Sequence, residues 1–265
     1  MLREIKFFNC RWCKGTTVVG DGPKDKPDWT RIKCSNCGTI SYKKLPSQTD
    51  LELIYASAWM ESGVKGAFAV GTTDSNISSS LLDAVGWNKS DGLSLDYGAG
   101  LGLLSSQIVA RGGRVLALEP HGQEGLCRDA STVTWVKSVD EIPLGTKFDW
   151  VFLIEVIEHM LDPVSELKKI RNLMHSGGKL FITTPNAGGW RAKKDGFNWR
   201  EAQNPTHIFL FTELSLVQCL FEAGFEKSLR INKSVDYGKK GIFRLALSMS
   251  QKLGIDGGLR FTATK

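Results

Sequence analysis

The 265-residue sequence contains no uninterrupted run of about 18 apolar residues, so no membrane-spanning helix is expected. Its start, Met1-Leu2-Arg3-Glu4-Ile5-Lys6, lacks the apolar core of a secretory signal, and a cytoplasmic location is expected. Internal repeats and low-complexity tracts are absent, which excludes solenoid and linker-dominated architectures. Histidine is scarce, at four residues, so a side chain titrating near neutral pH has few candidates. Acidic residues are sparse at the N-terminus: residues 1–50 hold ten Lys or Arg against five Asp or Glu, and the remainder is almost balanced. Most of the net charge of +6 therefore lies in the first fifty residues. Such a basic segment either draws an anionic partner (RNA, a nucleotide-sugar or a phospholipid surface) or is a set of solvated lysines around a small module.

What is present is a chain long enough to bury a sizeable core, with 42% hydrophobic residues, suited to one α/β domain plus an appendage. Cys10-x-x-Cys13 and Cys34-x-x-Cys37 are separated by 20 residues. Two such knuckles predict a tetrahedral four-thiolate zinc site, with paired disulfides as the alternative. Four thiolates leave no open position for water, so the zinc is expected to be structural and to supply stability that so short a segment cannot draw from its own core. Cys127 and Cys219 fall in helical patterns and are read as plain thiols. The expected organisation is a zinc-ribbon module at 1–45, a helical linker or lid at 46–89, a main domain at 90–248 and a loosely packed tail at 249–265. Residues Gly63 to Asn76, rich in glycine and small side chains, suit either a mobile lid or an irregular connector.

The densest signal lies at Leu95-Asp96-Tyr97-Gly98-Ala99-Gly100-Leu101-Gly102, after the apolar run that starts at Leu93. Glycines there allow a tight turn and a close approach of backbone to ligand. A second apolar run, Val115 to Leu118, ends at Glu119, 21 positions after Gly98. In a right-handed βαβ unit this carboxylate falls beside the ribose hydroxyls of a nucleoside held over the turn. The spacing is Gly-x-Gly-x-Gly rather than the Gly-x-Gly-x-x-Gly of dinucleotide folds. A dinucleotide site and a glycine turn without ligand remain alternatives at this point.

Further along, Phe148 to Ile154 reads as a buried strand leading into Glu155-Val156-Ile157-Glu158-His159. Asp162-Pro163 opens a helix, with Asp as N-cap and Pro in the first turn. Its apolar stripe runs through Val164, Leu167, Ile170 and Met174, and Gly177-Gly178 is expected to end it. Lys179 to Thr184 reads as the next strand, closing at Pro185-Asn186. Then come Asn204-Pro205-Thr206-His207, a helix from Thr212 and a stop at Ala223-Gly224-Phe225. Strands are expected near 93–97, 114–118, 133–137, 148–154 and 179–184, with a closing antiparallel pair near 226–233 and 241–248.

This succession resembles the class I S-adenosylmethionine (SAM) methyltransferases over residues 90 to 248: the glycine turn with Asp96 in its strand, the Glu155–His159 segment, the Thr-Pro-Asn closure, the later histidine and Gly-Phe. The resemblance implies a Rossmann-like α/β sheet, mostly parallel with an antiparallel last strand. It implies SAM as cofactor, with Asp96 near the methionine ammonium, Gly98 and Gly100 along the methionine end, Glu119 on the ribose, Asp140 near the adenine (with Ser138 and Val139 as alternatives), and Ile154 and Glu155 flanking the cofactor. It also places His207 in a loop over the pocket mouth, a candidate general base for a hydroxyl acceptor. The competing role for His207 is to bond a backbone carbonyl and fix the loop. His159, beside the cofactor, is a second catalytic candidate with a structural alternative.

Residues 186–206 carry Trp190 and Trp199 among Arg191, Lys193, Lys194 and Arg200, a composition suited to substrate contact or to an ordered surface loop. The chain lacks the Asn/Asp-Pro-Pro-Tyr/Phe signature of amino-directed nucleic-acid methyltransferases and has no Pro-Cys pair for cytosine C5. The leading expectation is O-methylation of a small molecule or glycan. RNA methylation guided by the basic ribbon is the second, and a non-catalytic SAM- or nucleoside-binding protein the third.

Overall fold

The computed structural model describes residues 9–54, 75–120 and 133–265. The Tyr55–Trp59 segment and most of the expected lid lie outside these, as do His121 and Cys127. The chain begins with a three-stranded antiparallel ribbon: β1 (Thr17–Gly20), β2 (Arg31–Cys34) and β3 (Ile40–Tyr42). Helical residues 48–54 follow. After α1 (Ser75–Val85), strands and helices alternate: β4 (Leu93–Tyr97), α2 (Leu103–Ala110), β5 (Arg114–Leu118), β6 (Thr134–Val136), β7 (Phe148–Ile154), α3 (Pro163–Leu173) and β8 (Met174–Pro185). Two short helices, α4 (Trp190–Asp195) and α5 (Arg200–Gln203), precede β9 (Phe209–Leu210). The chain closes with α6 (Glu213–Glu222), β10 (Lys227–Arg230), α7 (Gly241–Lys252) and β11 (Gly258–Thr264).

The main sheet has the order β10-β11-β8-β7-β4-β5-β6. Strands β4 to β8 pair in parallel, and β11 runs antiparallel beside β8. This is the expected α/β class. Parallel strands covered on both faces are apolar throughout, and Phe148, Trp150, Val151, Phe152 and Leu153 of β7 are all buried. No helix among the described residues is long and apolar enough to cross a membrane.

The sheet's end differs from the sequence expectation. Residues 241–248 form the start of α7, not a strand, and the closing partner of β10 is β11, from the segment expected to be a loose tail. The reason lies in the side chains. Gly241 to Lys252 is rich in Leu, Ala, Met, Gln and Lys, which favour helix. Leu259, Phe261 and Ala263 alternate with Arg260 and Thr262, a pleated pattern that buries the apolar face and, on the other, Arg260 paired with Asp256, as the strand inserts beside β8. The helix α3 also stops earlier than its apolar stripe suggests. Met174 already pairs with Phe148, and residues 175–178 then loop out of the ladder around Gly177, at φ +77°, before Lys179 joins Trp150.

The ribbon is fused to the main body. β9 adds to β3 in antiparallel register, Ile40 opposite Leu210 and Ser41 opposite Phe209. The Trp12 ring packs against Phe209 and Phe211, with centroids 5.7 and 5.6 Å away. Arg31, the first residue of β2, is fully buried. Its guanidinium stacks over the Tyr42 ring and donates to the carbonyls of His207 (2.9 Å) and Asn204 (2.8 Å) and to the Tyr42 hydroxyl (3.0 Å). Tyr42 in turn donates to the Pro205 carbonyl at 2.9 Å. Burial lowers the Arg31 pKa to about 10, still far above neutrality.

Truncating Arg31 takes a charged donor away from two carbonyls and a hydroxyl and empties its buried site. Arg31→Ala is expected to destabilise the chain by about 2–4 kcal/mol, the range for a charged hydrogen-bond donor lost from a buried site. Urea denaturation measures it, and a midpoint equal to that of the unaltered chain contradicts the clamp.

Candidate active site

Strand order reverses at β4, which has β5 and then β6 on one side and β7 on the other. Ligands of open α/β sheets bind outside the carboxyl ends of strands at this point. The glycine turn after β4 and the Glu155–His159 segment after β7 both lie there. Gly98 has φ +77°, and a Cβ on it would come within 2.7 Å of Val156 Cγ2, so the two segments touch and no larger residue fits. The turn is pinned from β5: Gly98 and Ala99 donate their N–H groups to the Leu118 carbonyl at 2.8 and 3.0 Å.

Glu119 stands where the sequence places a ribose carboxylate. It is buried, and its Oε2 accepts the Gly100 N–H at 2.9 Å, so the carboxylate and the turn are held as one unit. Asp96 is bonded to the next helix. It is buried beneath the turn, and its Oδ2 accepts both the N–H (3.2 Å) and the hydroxyl (2.7 Å) of Ser105 in the first turn of α2. Burial raises its pKa to about 6, against the pull of Ser105. Asp140 is exposed on a short turn after β6, at the same edge of the sheet.

Ile154 ends β7 half-buried. Glu155 follows with φ +56°, an uncommon left-handed conformation for a residue with a side chain, held by its N–H on the Thr183 carbonyl at 3.0 Å. Strain of this kind costs on the order of 1–3 kcal/mol and concentrates at functional sites. Burial pushes the Glu155 carboxyl up to about 7 and Glu158 well above the usual carboxylate range, where Glu155's charge adds to the burial.

The two histidines proposed from sequence come together. Their rings meet edge to face with centroids 4.8 Å apart. His207 is not at an open mouth but buried beneath the ribbon. Its Nδ1 lies 3.1 Å from the Glu201 carbonyl, and Asn204 Nδ2 lies 3.0 Å from its Nε2. His159 Nδ1 lies 3.0 Å from the Thr206 carbonyl. Burial lowers the His159 pKa to about 4 and the His207 pKa well below the usual range, so both imidazoles are neutral at pH 7. The structure thus displays the backbone-bonding arrangement for His207. The buried Glu158 lies close to both rings, and the sequence signal that marks it is a second acidic residue, three after Glu155 and next to His159.

The two tryptophans of the 186–206 segment part company. Trp199 is buried in a cluster with Ile40, Ala192 and Leu210, anchoring the segment to the ribbon. Trp190 is half-exposed, with Arg191 and Lys194 cations near its ring.

The four ribbon cysteines converge as well. Their sulfurs all lie within 4.8 Å of one another, with Cys10–Cys37 at 3.6 Å and Cys13–Cys34 at 3.4 Å. Thiolates 2.3 Å from one tetrahedral ion are about 3.8 Å apart, so the set fits zinc, and the 3.4–3.6 Å pairs are well beyond a disulfide bond.

Asp96 supplies a pH test. Its carboxyl has a folded-state pKa of about 6 against an ordinary 3.8, so the folded chain holds its proton more tightly than the unfolded chain. Stability tied to Asp96 is therefore full below the unfolded value and falls as pH rises through about 6. Asp96→Asn keeps an acceptor for Ser105 and should flatten the stability profile between those values, measured by thermal unfolding against pH. An unchanged slope contradicts the burial of this carboxylate.

Comparison with known proteins agrees with the geometry. Residues 72–228, more than half of the chain, match the family described as a methyltransferase domain. A ubiquinone biosynthesis O-methyltransferase from Aeromonas salmonicida is 32% identical over 103 residues, 35% of this chain and 42% of that protein. The corresponding protein of Pseudomonas aeruginosa is 31% identical over 103 residues, 35% of this chain and 44% of that protein. The chain thus covers less than half the length of these curated relatives. Among solved structures, a Burkholderia thailandensis 1,6-didemethyltoxoflavin-N1-methyltransferase with bound S-adenosylhomocysteine superposes with a TM-score of 0.57 at 18% identity, covering 87% of this chain and 96% of that one. A SAM-dependent methyltransferase from Archaeoglobus fulgidus gives 0.53 at 16% identity, covering 72% and 95%. With a glycine turn pinned by the carboxylate that follows β5 and an antiparallel closing strand, the chain belongs to the methyltransferase-domain family and carries the class I SAM-dependent fold.

Proposed function

We propose that this protein transfers the methyl group of SAM to a hydroxyl of a small-molecule acceptor. The observation that carries the reading is the pinned unit of Gly98, Gly100 and Glu119 at the sheet's switch point. SAM is a sulfonium whose neutral thioether is an excellent leaving group, so the protein's task is to align donor and acceptor and exclude water. Glu119 is assigned to the ribose, and Ile154 and Glu155 to the cofactor's flank. The hydroxyl acceptor follows from the O-methyltransferase names of the curated relatives. His159 and His207, neutral and hydrogen-bonded, are suited to shaping the acceptor end. The ribbon is assigned a structural zinc on Cys10, Cys13, Cys34 and Cys37.

A second reading, RNA methylation, draws support from the exposed Lys24, Lys43 and Lys44 on the basic ribbon. The two readings separate in one experiment. Purified chain and isotopically labelled SAM are added to a cell extract, which is then fractionated. Label in the small-molecule fraction supports the first reading, label confined to RNA supports the second, and label in neither overturns methyl transfer.

Two substitutions test the assignments. Glu119→Ala removes a charged acceptor worth about 1.5–3 kcal/mol, so affinity for S-adenosylhomocysteine should fall roughly 10- to 100-fold in equilibrium dialysis while the circular dichroism is kept. Unchanged affinity removes Glu119 from the site. Cys34→Ser should release the zinc, read by elemental mass spectrometry, and expose the ribbon to proteolysis. A variant still holding one zinc per chain contradicts the four-thiolate site.

A further inference from the structure

Helix α7 is mounted with its apolar side outward. Ile242, Leu245, Ala246, Met249 and Leu253 recur at helical spacing and share one face, with Phe243 at its margin. Ile242, Phe243, Leu245, Met249 and Leu253 are each between 63% and 76% exposed. The opposite side meets the body through polar groups. Gln251 is the buried residue of this helix. Its Oε1 accepts the Val235 N–H at 3.0 Å and the Ser234 hydroxyl at 3.1 Å, and its Nε2 donates to the Val235 carbonyl at 3.2 Å. Arg244 pairs with Asp236 at 3.5 Å on the same side. An amphipathic helix of a globular protein ordinarily turns its apolar stripe to the core. Here a side-chain amide does the docking, and the stripe is left for another apolar medium. A contiguous exposed patch of this kind marks an interaction surface.

Charge identifies the medium. From Tyr237 to Ile255 the sequence has Lys239, Lys240, Arg244 and Lys252 and no acidic residue. Lys239 and Lys240 stand at the entrance of α7 and Lys252 at its last turn, all three exposed. Lysine stems lie along apolar surface while their ammonium heads reach outward, so the stripe is fringed with positive charge. An isologous contact between two copies of this face would set lysine against lysine. An anionic lipid surface satisfies both features: its headgroups take the cations and the acyl boundary takes the Phe, Leu, Ile and Met side chains. The 12 residues of α7 are too few to cross a bilayer, so such a contact runs along the surface.

We propose that α7 lies in the interface of an anionic phospholipid membrane, its apolar face among the upper acyl chains and Lys239, Lys240 and Lys252 on the lipid phosphates. The inference rests on this surface alone and does not depend on the methyl-transfer reading. A single short helix with a few cations gives reversible binding, which added salt weakens.

The full chain is sedimented with vesicles of phosphatidylcholine alone, or of phosphatidylcholine and phosphatidylglycerol in equal parts. Binding to the anionic vesicles is expected, about tenfold or more tighter than to the neutral ones, and weakened by salt. Phe243→Ser with Leu245→Ser should weaken it about tenfold or more, and so should Lys239→Gln with Lys240→Gln. These side chains are exposed, so both variants are expected to keep the circular dichroism and thermal midpoint of the unaltered chain. A chain left in solution with both vesicles overturns the proposal, as does equal binding to the two. Binding through the basic ribbon instead would survive both pairs of substitutions, and that result also overturns it. A dimer in sedimentation velocity that the Phe243 and Leu245 substitutions disperse would assign the face to a second copy and overturn the lipid.

Discussion

One buried cation ties this molecule together. Arg31 belongs to the ribbon, but its hydrogen bonds end on the carbonyls of Asn204 and His207, in the loop that closes the candidate active site. A guanidinium taken out of water has to find acceptors, and here they come from a segment more than 170 residues away. The consequence is structural and functional together. β9 adds to the ribbon sheet directly after His207, and Trp12 covers Phe209 and Phe211 on the far side. The ribbon is thus fused to the loop that carries His207 rather than an independent appendage, and the module expected from four cysteines holds in place a histidine it does not contain.

The same economy governs the glycine turn. The turn's amides are satisfied by the end of β5, through the Leu118 carbonyl and the Glu119 carboxylate, before any ligand arrives. A preorganised cradle spends less binding energy on ordering itself, so more of it goes to holding donor and acceptor in line. Around the neighbouring strand the balance differs. Glu155 and Glu158 are buried close to one another, with Glu201 nearby, and burial rather than any partner dominates their shift towards the protonated form. A left-handed Glu155 and an unpartnered Glu158 oxygen are the marks of a region shaped for something other than stability.

Much of this was legible in the residues. Strands β4, β5 and β7 fall where the apolar runs stand, because buried parallel strands leave little choice of side chain. The N-cap at Asp162 accepts from Ser165 as its position implies. The glycine turn and Glu119 were readable because spacing, not tertiary context, determines them. Three features were not. The contact of Asp96 with Ser105, which offers two donors at close range, is one that strand position alone does not reveal. The last strand was missed because the alternation in Leu259–Thr264 is short, follows two glycines and has its partner far back in the chain at β8. The burial of His207 depends on the ribbon folding back over the loop, which no local pattern encodes.

The central claim is that the switch point of this sheet cups the adenosyl sulfonium donor, its sugar held by Glu119. Isothermal calorimetry of the purified chain with S-adenosylhomocysteine, run beside the same titration with a nicotinamide dinucleotide, tests it most directly. The account predicts saturable one-to-one heat with the first and none with the second. Heat with the dinucleotide alone would contradict it.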